Sequence, residues 1–453
     1  MPIAPPTETN RALGLRDDFL WGVSTSAYQI EGAVAEDGRG RSIWDTRCRT
    51  KGGVVNGDVG DVACDHYHRY AEDVALMQGL GLNTYRFSVS WPRVLPRGRG
   101  RVNDKGLDFY DRLIDAVLEA GIDPWLCLYH WDLPQSLHDL GGWTNRDCAG
   151  WYADYAALCA RRFGDRVKHW CTFNEFSVFT LFGYAIDWAA PGVTDRQAHL
   201  RAIHHVNLAH GAGVEVLREL VPGARIGAVH NRQQVLPEHN DPANQEAAEF
   251  LDEHWNRAFP DPQILGHYPP RLADLIEPYV KGGDMARICR RQDWFGLNHY
   301  GPIFARKAPD WIWGFCWGDA PADADKSQLG WPVFPDAFRD ELLLVSERYK
   351  LPVYVTESGC GGNSDQLGPD GTILDQHRIA YLKLYIAKLR EAVAKGADVR
   401  GYMVWSLLDN FEWGSGYGQR FGLVHVDFDS LKRTPKQSYD WYRGLIAGEH
   451  RGE

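Results

Sequence analysis

Eight short β-rich runs, each followed by a longer stretch with helical periodicity, restrict what this chain can fold into. They are 19–27 (FLWGVSTSA), 83–90 (NTYRFSVS), 123–130 (DPWLCLYH), 167–175 (VKHWCTFNE), 224–231 (ARIGAVHN), 294–300 (WFGLNHY), 352–358 (PVYVTES) and 399–409 (VRGYMVWSLLD). Segment 104–121 illustrates the helical stretches. Its Leu107, Tyr110, Leu113, Ile114 and Val117 are spaced 3, 3, 1 and 3 apart, one face of a 3.6-residue period. Gly121 stands where a helix-ending C′ glycine belongs. Strands separated by helices pair in parallel. Eight such units predict an α/β protein closed into a single (β/α)8 TIM barrel over residues 1–453, with long βα loops building the active-site face. Length alone would divide the chain into about three domains, but barrels often run longer as one unit. A doubly wound sheet is the alternative, and it usually carries a Gly-rich phosphate turn after its first strand. Here the first run leads into AYQIEG, and GSGYG at 414–418 lacks a strand-to-helix setting.

The chemistry-bearing residues fall at the C-terminal ends of these runs. Gln29 and Glu31 follow the first, Arg86 lies in the second, and His130 and Trp131 close the third. Asn174 and Glu175 close the fourth, Asn298 and Tyr300 the sixth, Glu357 the seventh, and Trp405 through Trp413 the eighth. In a barrel these ends meet on one face, where active sites are built. Taken singly, each residue has a plainer reading: His130 as a satisfied core histidine, Trp131 and Trp405 as barrel core, Arg86 as a structural ion-pair partner. Between Tyr300 and Pro352 a helix near 336–349 accounts for only part of the connection. The remainder includes WIWGFCW (311–317) and GWPVFP (330–335), too apolar for a solvated linker. It is expected to wall the pocket entrance, with packing on the barrel's outside as the alternative.

A net charge of −11 without a basic run excludes a nucleic-acid partner from the expectation. The 18 Trp, with 20 Tyr and 18 Phe, supply amphipathic faces that suit either sugar C–H faces or a large core. Nine Cys without a C-x-x-C motif read as reduced, mostly buried thiols of a cytoplasmic protein. The N-terminal MPIAPPTETNRALG lacks the apolar stretch of a secretory signal. Nowhere do 18 consecutive apolar residues predict a membrane span. IHHVNLAH (203–210) invites a metal reading, but it lacks H-E-x-x-H and lies on an apolar helical pattern, so a structural helix is expected.

Hydrolysis of an acetal needs two carboxyl groups. One protonates the leaving oxygen and the other, ionised, attacks the anomeric carbon, so their surroundings must drive the two pKa values apart. Glu175 and Glu357, each ending a β-rich run among polar neighbours, are the natural pair. Arg86 is the expected cation, since a guanidinium within ~4–6 Å lowers a carboxylate's pKa by roughly 1–3.

The ordered motifs FLWGVSTSAYQIEG (19–32), YRFSVSWPR (85–93), HWDLPQSL (130–137), TFNE (172–175), VTESG (355–359) and WSLLDNFEWGSGY (405–417) resemble glycoside hydrolase family 1. With RFGLVHVDF and RTPKQS, the resemblance to these β-glucosidases and 6-phospho-β-glucosidases covers almost the whole chain. It implies a retaining mechanism with Glu175 as acid/base and Glu357 as nucleophile, supported by Arg86 and Tyr300. It implies neither metal nor cofactor. Gln29, His130, Trp131, Asn174, Asn298, Glu412 and Trp413 would bind the sugar, with Trp405 as stacking floor and Trp331 on the aglycone side. The implied substrates are small β-linked glucosides or oligosaccharides. Gluco, galacto or fuco configuration and homo-oligomer formation are left open, and no membrane partner is expected. Phe176 and Ser358 stand where the family usually has Pro and Asn, and only packing is expected to change. Phosphosugar members carry Ser, Lys and Tyr where Glu412, Gln419 and Phe421 stand. Thioglucosidases carry Gln where Glu175 stands. A non-catalytic sugar-binding barrel is the other class, and the presence of both carboxylates favours the enzyme.

Overall fold

The computed structural model of the protein describes residues 7–362, 365–369 and 371–450. The first six residues of the N-terminal stretch read for a signal lie outside the described residues. Each of the eight β-rich runs holds one barrel strand. These are β1 (Leu20–Ser24), β2 (Thr84–Ser88), β3 (Asp123–Cys127), β4 (His169–Asn174), β5 (Arg225–Asn231), β6 (Trp294–Asn298), β7 (Val353–Ser358) and β8 (Val399–Trp405). All pair in parallel with their neighbours in sequence order, and β1 pairs with β8 to close the barrel. Most runs extend beyond their strands at the C-terminal end. Residues such as 128–130, 299–300 and 406–409 share the strand's composition but leave the ladder to form the rim.

Eight helices follow the strands in turn: α1 (His66–Leu80), α2 (Asp104–Glu119), α3 (Cys148–Phe163), α4 (Arg196–Leu220), α5 (Pro242–Asp252), α6 (Pro335–Tyr349), α7 (Gln376–Ala394) and α8 (Gln437–Ala447). The predicted face of α2 is the buried one. Gly121 adopts φ +79°, a left-handed position that glycine takes without a Cβ clash.

Period-two alternation divides the core into two layers. Trp125 and Cys127 of β3, Cys171 of β4, Val229 of β5, Trp294 of β6, Tyr354 of β7 and Met403 of β8 fill the barrel interior. Their neighbours Leu126, Trp170, Phe295, Val355 and Val404 join the larger core under the helices. Interior filling of this kind makes the barrel a solid support for whatever stands on its C-terminal rim. All nine cysteines are free thiols and eight are buried. The histidine-rich stretch lies within α4. His204 bonds Tyr268 at 3.0 Å and Asp284 at 2.9 Å, His205 bonds the Trp143 carbonyl at 3.0 Å, and His210 bonds Thr172 at 2.8 Å. Among the described residues no helix is long and apolar enough to cross a membrane.

The connection after β6 divides its roles. Strands Ile303–Lys307 and Phe315–Trp317 form a small sheet with Val235–Pro237. Trp313 and Phe315 are buried against His254 and Phe250, whereas Trp317 and Trp331 face the cavity at the barrel mouth. The apolar segment therefore both packs outside the barrel and walls the entrance.

A buried ion pair ties the first helix to the C-terminal segment. Asp73 of α1 accepts from Arg433 at 2.9 and 3.0 Å and bonds His66 at 2.8 Å. Burial pushes the Asp73 carboxyl up, but its His66 and Arg433 partners together bring it below its ordinary value. Its ion-pair stability is therefore present above the unfolded carboxylate pKa and disappears as pH falls through the depressed folded value. Arg433→Met should cost about 3–5 kcal/mol by leaving Asp73 charged and buried with the His66 hydrogen bond alone. Urea unfolding should show a wild-type advantage at pH 7 that narrows below about pH 4; equal midpoints at pH 7 would refute the pair's importance.

Candidate active site

Two of the barrel strands are irregular just where their carboxylates stand. The β4–β5 register shifts between Cys171 and Asn174, and the β6–β7 register shifts between Val355 and Glu357. Such irregularities re-aim the side chains that follow them. Glu175 then takes φ +52°, Trp131 φ +78° and Trp413 φ +49°. Left-handed non-glycine residues are strained by about 1–3 kcal/mol each and persist only where the surroundings over-determine them. Gly359, directly after β7, cannot carry a side chain, because a Cβ there would lie 1.9 Å from the Trp405 carbonyl oxygen. That contact clamps the end of β7 against the end of β8.

The strand ends enclose a cavity of about 590 Å³, lined among others by His130, Trp131, Glu175, Tyr300, Glu357, Trp405, Glu412 and Trp413. Glu357 is 3% exposed. Its Oε1 accepts from Arg86 Nη1 at 2.7 Å and its Oε2 from the Tyr300 hydroxyl at 2.8 Å. Glu175 is 5% exposed and accepts from Asn298 Nδ2 at 2.7 Å. Asn298 Nδ2 also donates to Asn174 Oδ1 at 3.1 Å, and the same amide helps to lower both carboxyl pKa values. Thr356 Oγ1 donates to Asn298 Oδ1 at 2.7 Å and so fixes which way that amide points.

Burial raises both carboxyl pKa values. Glu175 is carried well above its ordinary range by burial first and then by the charge of Glu357. Glu357 is also raised, because burial outweighs Arg86, Tyr300 and Asn298, which all pull it down. The expectation that Arg86 would bring Glu357 below the usual carboxylate range is thus corrected. The guanidinium does oppose the shift, but a fully enclosed carboxylate loses more from desolvation. The asymmetry between the two groups survives, and the proton of the pair resides on Glu175.

Four of the predicted residues stand one layer behind the lining: Arg86, Gln29, Asn174 and Asn298 are fully buried and tied to one another or to the rim. Asn174 Oδ1 accepts from Arg86 and from Asn298, while its Nδ2 donates to His130 Nε2 at 3.0 Å. Burial, then Arg86, pushes the His130 imidazole well below its ordinary pKa, so it stays neutral. Trp131 donates its indole N–H to the Asn174 carbonyl at 3.0 Å and therefore offers the cavity its ring. Gln29 Nε2 is shared among Asn410, the Phe411 carbonyl and Glu412. Glu412, which accepts from Gln29 Nε2 at 3.3 Å, is pushed up to about 8 by burial and by Glu357. It holds a proton near neutrality, so charge repulsion of a 6-phosphate is weaker than the residue type alone suggests. The uncharged Gln419 and Phe421 on the cavity wall are the firmer ground.

The family model described as Glycosyl hydrolase family 1 matches residues 12–451. The chain belongs to this family. A β-glucosidase A from Thermotoga maritima is 43% identical over 442 residues, covering 95% of this chain and 97% of that protein. A bifunctional β-D-glucosidase/β-D-fucosidase from Bifidobacterium breve is 40% identical over 461 residues, covering 95% and 97%. The solved Thermotoga maritima β-glucosidase in complex with glucoimidazole matches with a TM-score of 0.90 at 43% identity over 95% of this chain and 98% of that one.

This glycoside hydrolase also uses residues that its sequence did not announce. Trp44 packs at a tilt against Trp413, with ring centroids 4.7 Å apart, and lines the cavity, as do Phe182, Trp188, Trp255 and Trp317. Trp44 sits in a short helix that no barrel periodicity marks, and its partner lies at the far end of the chain. Phe176 stacks on Phe259 at 5.0 Å and His230 at 5.1 Å, filling space behind Glu175. Ser358 meets the Tyr381 hydroxyl at 3.5 Å. Both departures from the family pattern stand in buried, packed surroundings.

Glu357→Gln keeps the shape of the site and removes one charge. The Glu175 carboxyl should then titrate nearer its ordinary range, because the Glu357 charge is the second cause of its elevation. Carbon-13 NMR of labelled glutamate side chains measures this directly. An unmoved titration would show that burial acts alone.

Proposed function

We propose that this chain is a retaining β-glucosidase, one catalytic domain over its whole length, that removes terminal non-reducing β-D-glucosyl residues from small glucosides or oligosaccharides. The observation that carries the proposal is the pair itself: Glu357 accepts from Arg86 at 2.7 Å and Tyr300 at 2.8 Å, and Glu175, which accepts from Asn298 at 2.7 Å, lines the same cavity with its carboxyl pKa raised well above the ordinary range. In a retaining pair one carboxylate attacks directly while the other carboxyl group supplies the proton, the division of roles that an ion-paired Glu357 and a protonated Glu175 fit.

On this reading Glu357, held by Arg86 and Tyr300, attacks the anomeric carbon while Glu175 gives its proton to the departing oxygen. Ester formation consumes the Glu357 charge. One of the two causes that keep Glu175 protonated then disappears, and Glu175 becomes the base that takes a proton from the incoming water. Glu412, Gln29, His130 and the rings of Trp131, Trp405 and Trp413 hold the sugar. The bifunctional relative supports tolerance of the fuco configuration. Nine free thiols support a reducing, cytoplasmic setting.

Hydrolysis of p-nitrophenyl β-D-glucoside, followed by NMR, should release β-glucose first; α-glucose as first product would exclude double displacement. Glu175→Ala should lower turnover of substrates with poor leaving groups by about 10²–10⁴, and of activated aryl glucosides far less. Azide should restore Glu357→Gly by attacking in place of the missing carboxylate, from the face opposite the aglycone, with an α-glycosyl azide product, and a β-azide would reassign the nucleophile.

A further inference from the structure

The strand that carries Glu357 holds one residue more than its neighbour can pair. On β7, Val355 stands opposite Leu297 of β6 and Glu357 opposite Asn298, so Thr356 is the inserted residue. A bulged residue leaves the ladder, and its polar groups must find partners elsewhere. Thr356 is fully buried and finds both. Its carbonyl accepts from Ser24 Oγ of β1 at 2.7 Å, and its Oγ1 lies 2.7 Å from Asn298 Oδ1.

A hydroxyl can donate or accept, and its neighbours decide which. Arg86 can only donate, so the Asn174 atom that meets both Arg86 and Asn298 is the amide oxygen. Asn298 therefore turns its nitrogen to Asn174, at 3.1 Å, and to Glu175 Oε1, at 2.7 Å. Both N–H groups are spent there. The atom left for Thr356 is the Asn298 oxygen, and the hydroxyl donates to it. Glu175 in turn meets a donor at Oε1. The unprotonated oxygen of a carboxyl group is the better acceptor, so the proton of Glu175 sits on Oε2, the oxygen left to meet a leaving group.

We propose that Thr356 is a positioning residue for the acid/base carboxyl: by holding the Asn298 oxygen it keeps a donor on Glu175 Oε1 and the transferable proton on Oε2. The inference rests on the retaining β-glucosidase reading and adds to it the atom that carries the proton. Without the hydroxyl, Asn298 Oδ1 is a buried acceptor with no partner, an unfavourable state. Turning the amide toward Glu175 relieves it, because the carboxyl proton can then bond Oδ1 from Oε1. That proton is held back from the leaving group in the first step. In the second step Glu175 lacks the donor that favours its ionised form.

The test uses Thr356→Val, which keeps the shape and removes the hydroxyl, Thr356→Ala as a second deletion, and Thr356→Ser, which restores the donor. Both deletions should lose about tenfold more kcat/KM on methyl β-D-glucoside than on 2,4-dinitrophenyl β-D-glucoside, whose leaving group needs little protonation. Thr356→Ser should stay near wild type on both. Equal loss on the two substrates, or a serine variant no better than alanine, overturns the proposal. Carbon-13 NMR of glutamate side chains, assigned with Glu175→Gln, reads the carboxyl independently of turnover. Glu357, Arg86, Glu412 and Tyr300 also face Glu175, and all four are unaltered in these variants. The Glu175 titration should move up by about one pH unit in Thr356→Val and return in Thr356→Ser; an unmoved titration overturns the proposal. If it moves in this way while no β-glucoside is hydrolysed, the catalytic reading fails and the positioning role stands.

Discussion

The Arg86–Glu357 pair is the interaction on which the rest of the site depends. Both partners are buried at the top of a filled barrel, and withdrawing either charge from water costs several kcal/mol before any partner compensates. The compensation is a 2.7 Å hydrogen bond to one carboxyl oxygen and a Tyr300 hydroxyl on the other. The second guanidinium nitrogen is not idle. It donates to Asn174, which donates in turn to His130. One cation therefore holds the candidate nucleophile and, through a single amide, the orientation of a neutral imidazole on the sugar side. Replacing Arg86 by lysine would supply the charge without the fork that reaches both acceptors.

What lies beneath this pair explains why it can be held so tightly. Cys127 and Cys171 pair in register on β3 and β4 inside the barrel, in the same interior cluster as Trp125, Trp294 and Tyr354. A layer of this density does not deform to relieve strain above it. Three rim residues, Trp131, Glu175 and Trp413, can then sit at positive φ without relaxing. The strain is local, while the support is distributed over eight strands and the helices packed on them.

The fold was legible in the sequence because its signals are local. Each of the eight runs holds one strand, though most overshoot its C-terminal end, and α2 could be read down to its terminal Gly121. The catalytic candidates were legible for a related reason: barrel topology converts position at a strand end into position on one face. Two things did not follow from local pattern. The direction of the Glu357 pKa depends on a contest between burial and Arg86, and burial is a property of the whole enclosure. Trp44 and Trp188 matter through rings contributed by loops far away in sequence, so neither carries a mark of its own. Asn298 is read from sequence among sugar-binding residues, and its side chain donates to Glu175 and Asn174 and accepts from Thr356, so it also orients the Glu175 carboxyl group.

The charge of Glu357 acts beyond Glu175. Glu412 is raised to about 8 by burial and then by that same charge, so two protons in the pocket are retained partly because Glu357 is ionised. In a covalent glycosyl-enzyme that charge is gone. Glu175 then becomes more acidic, as its role as base requires, and Glu412 becomes more acidic with it. An ionised Glu412 accepts stronger, charge-assisted hydrogen bonds from sugar hydroxyls than a protonated one does. On the proposed double-displacement reading, the lower Glu412 pKa in a glycosyl-enzyme would strengthen the hydrogen bonds this carboxylate accepts from sugar hydroxyls, and recognition and catalysis would be coupled through Glu357.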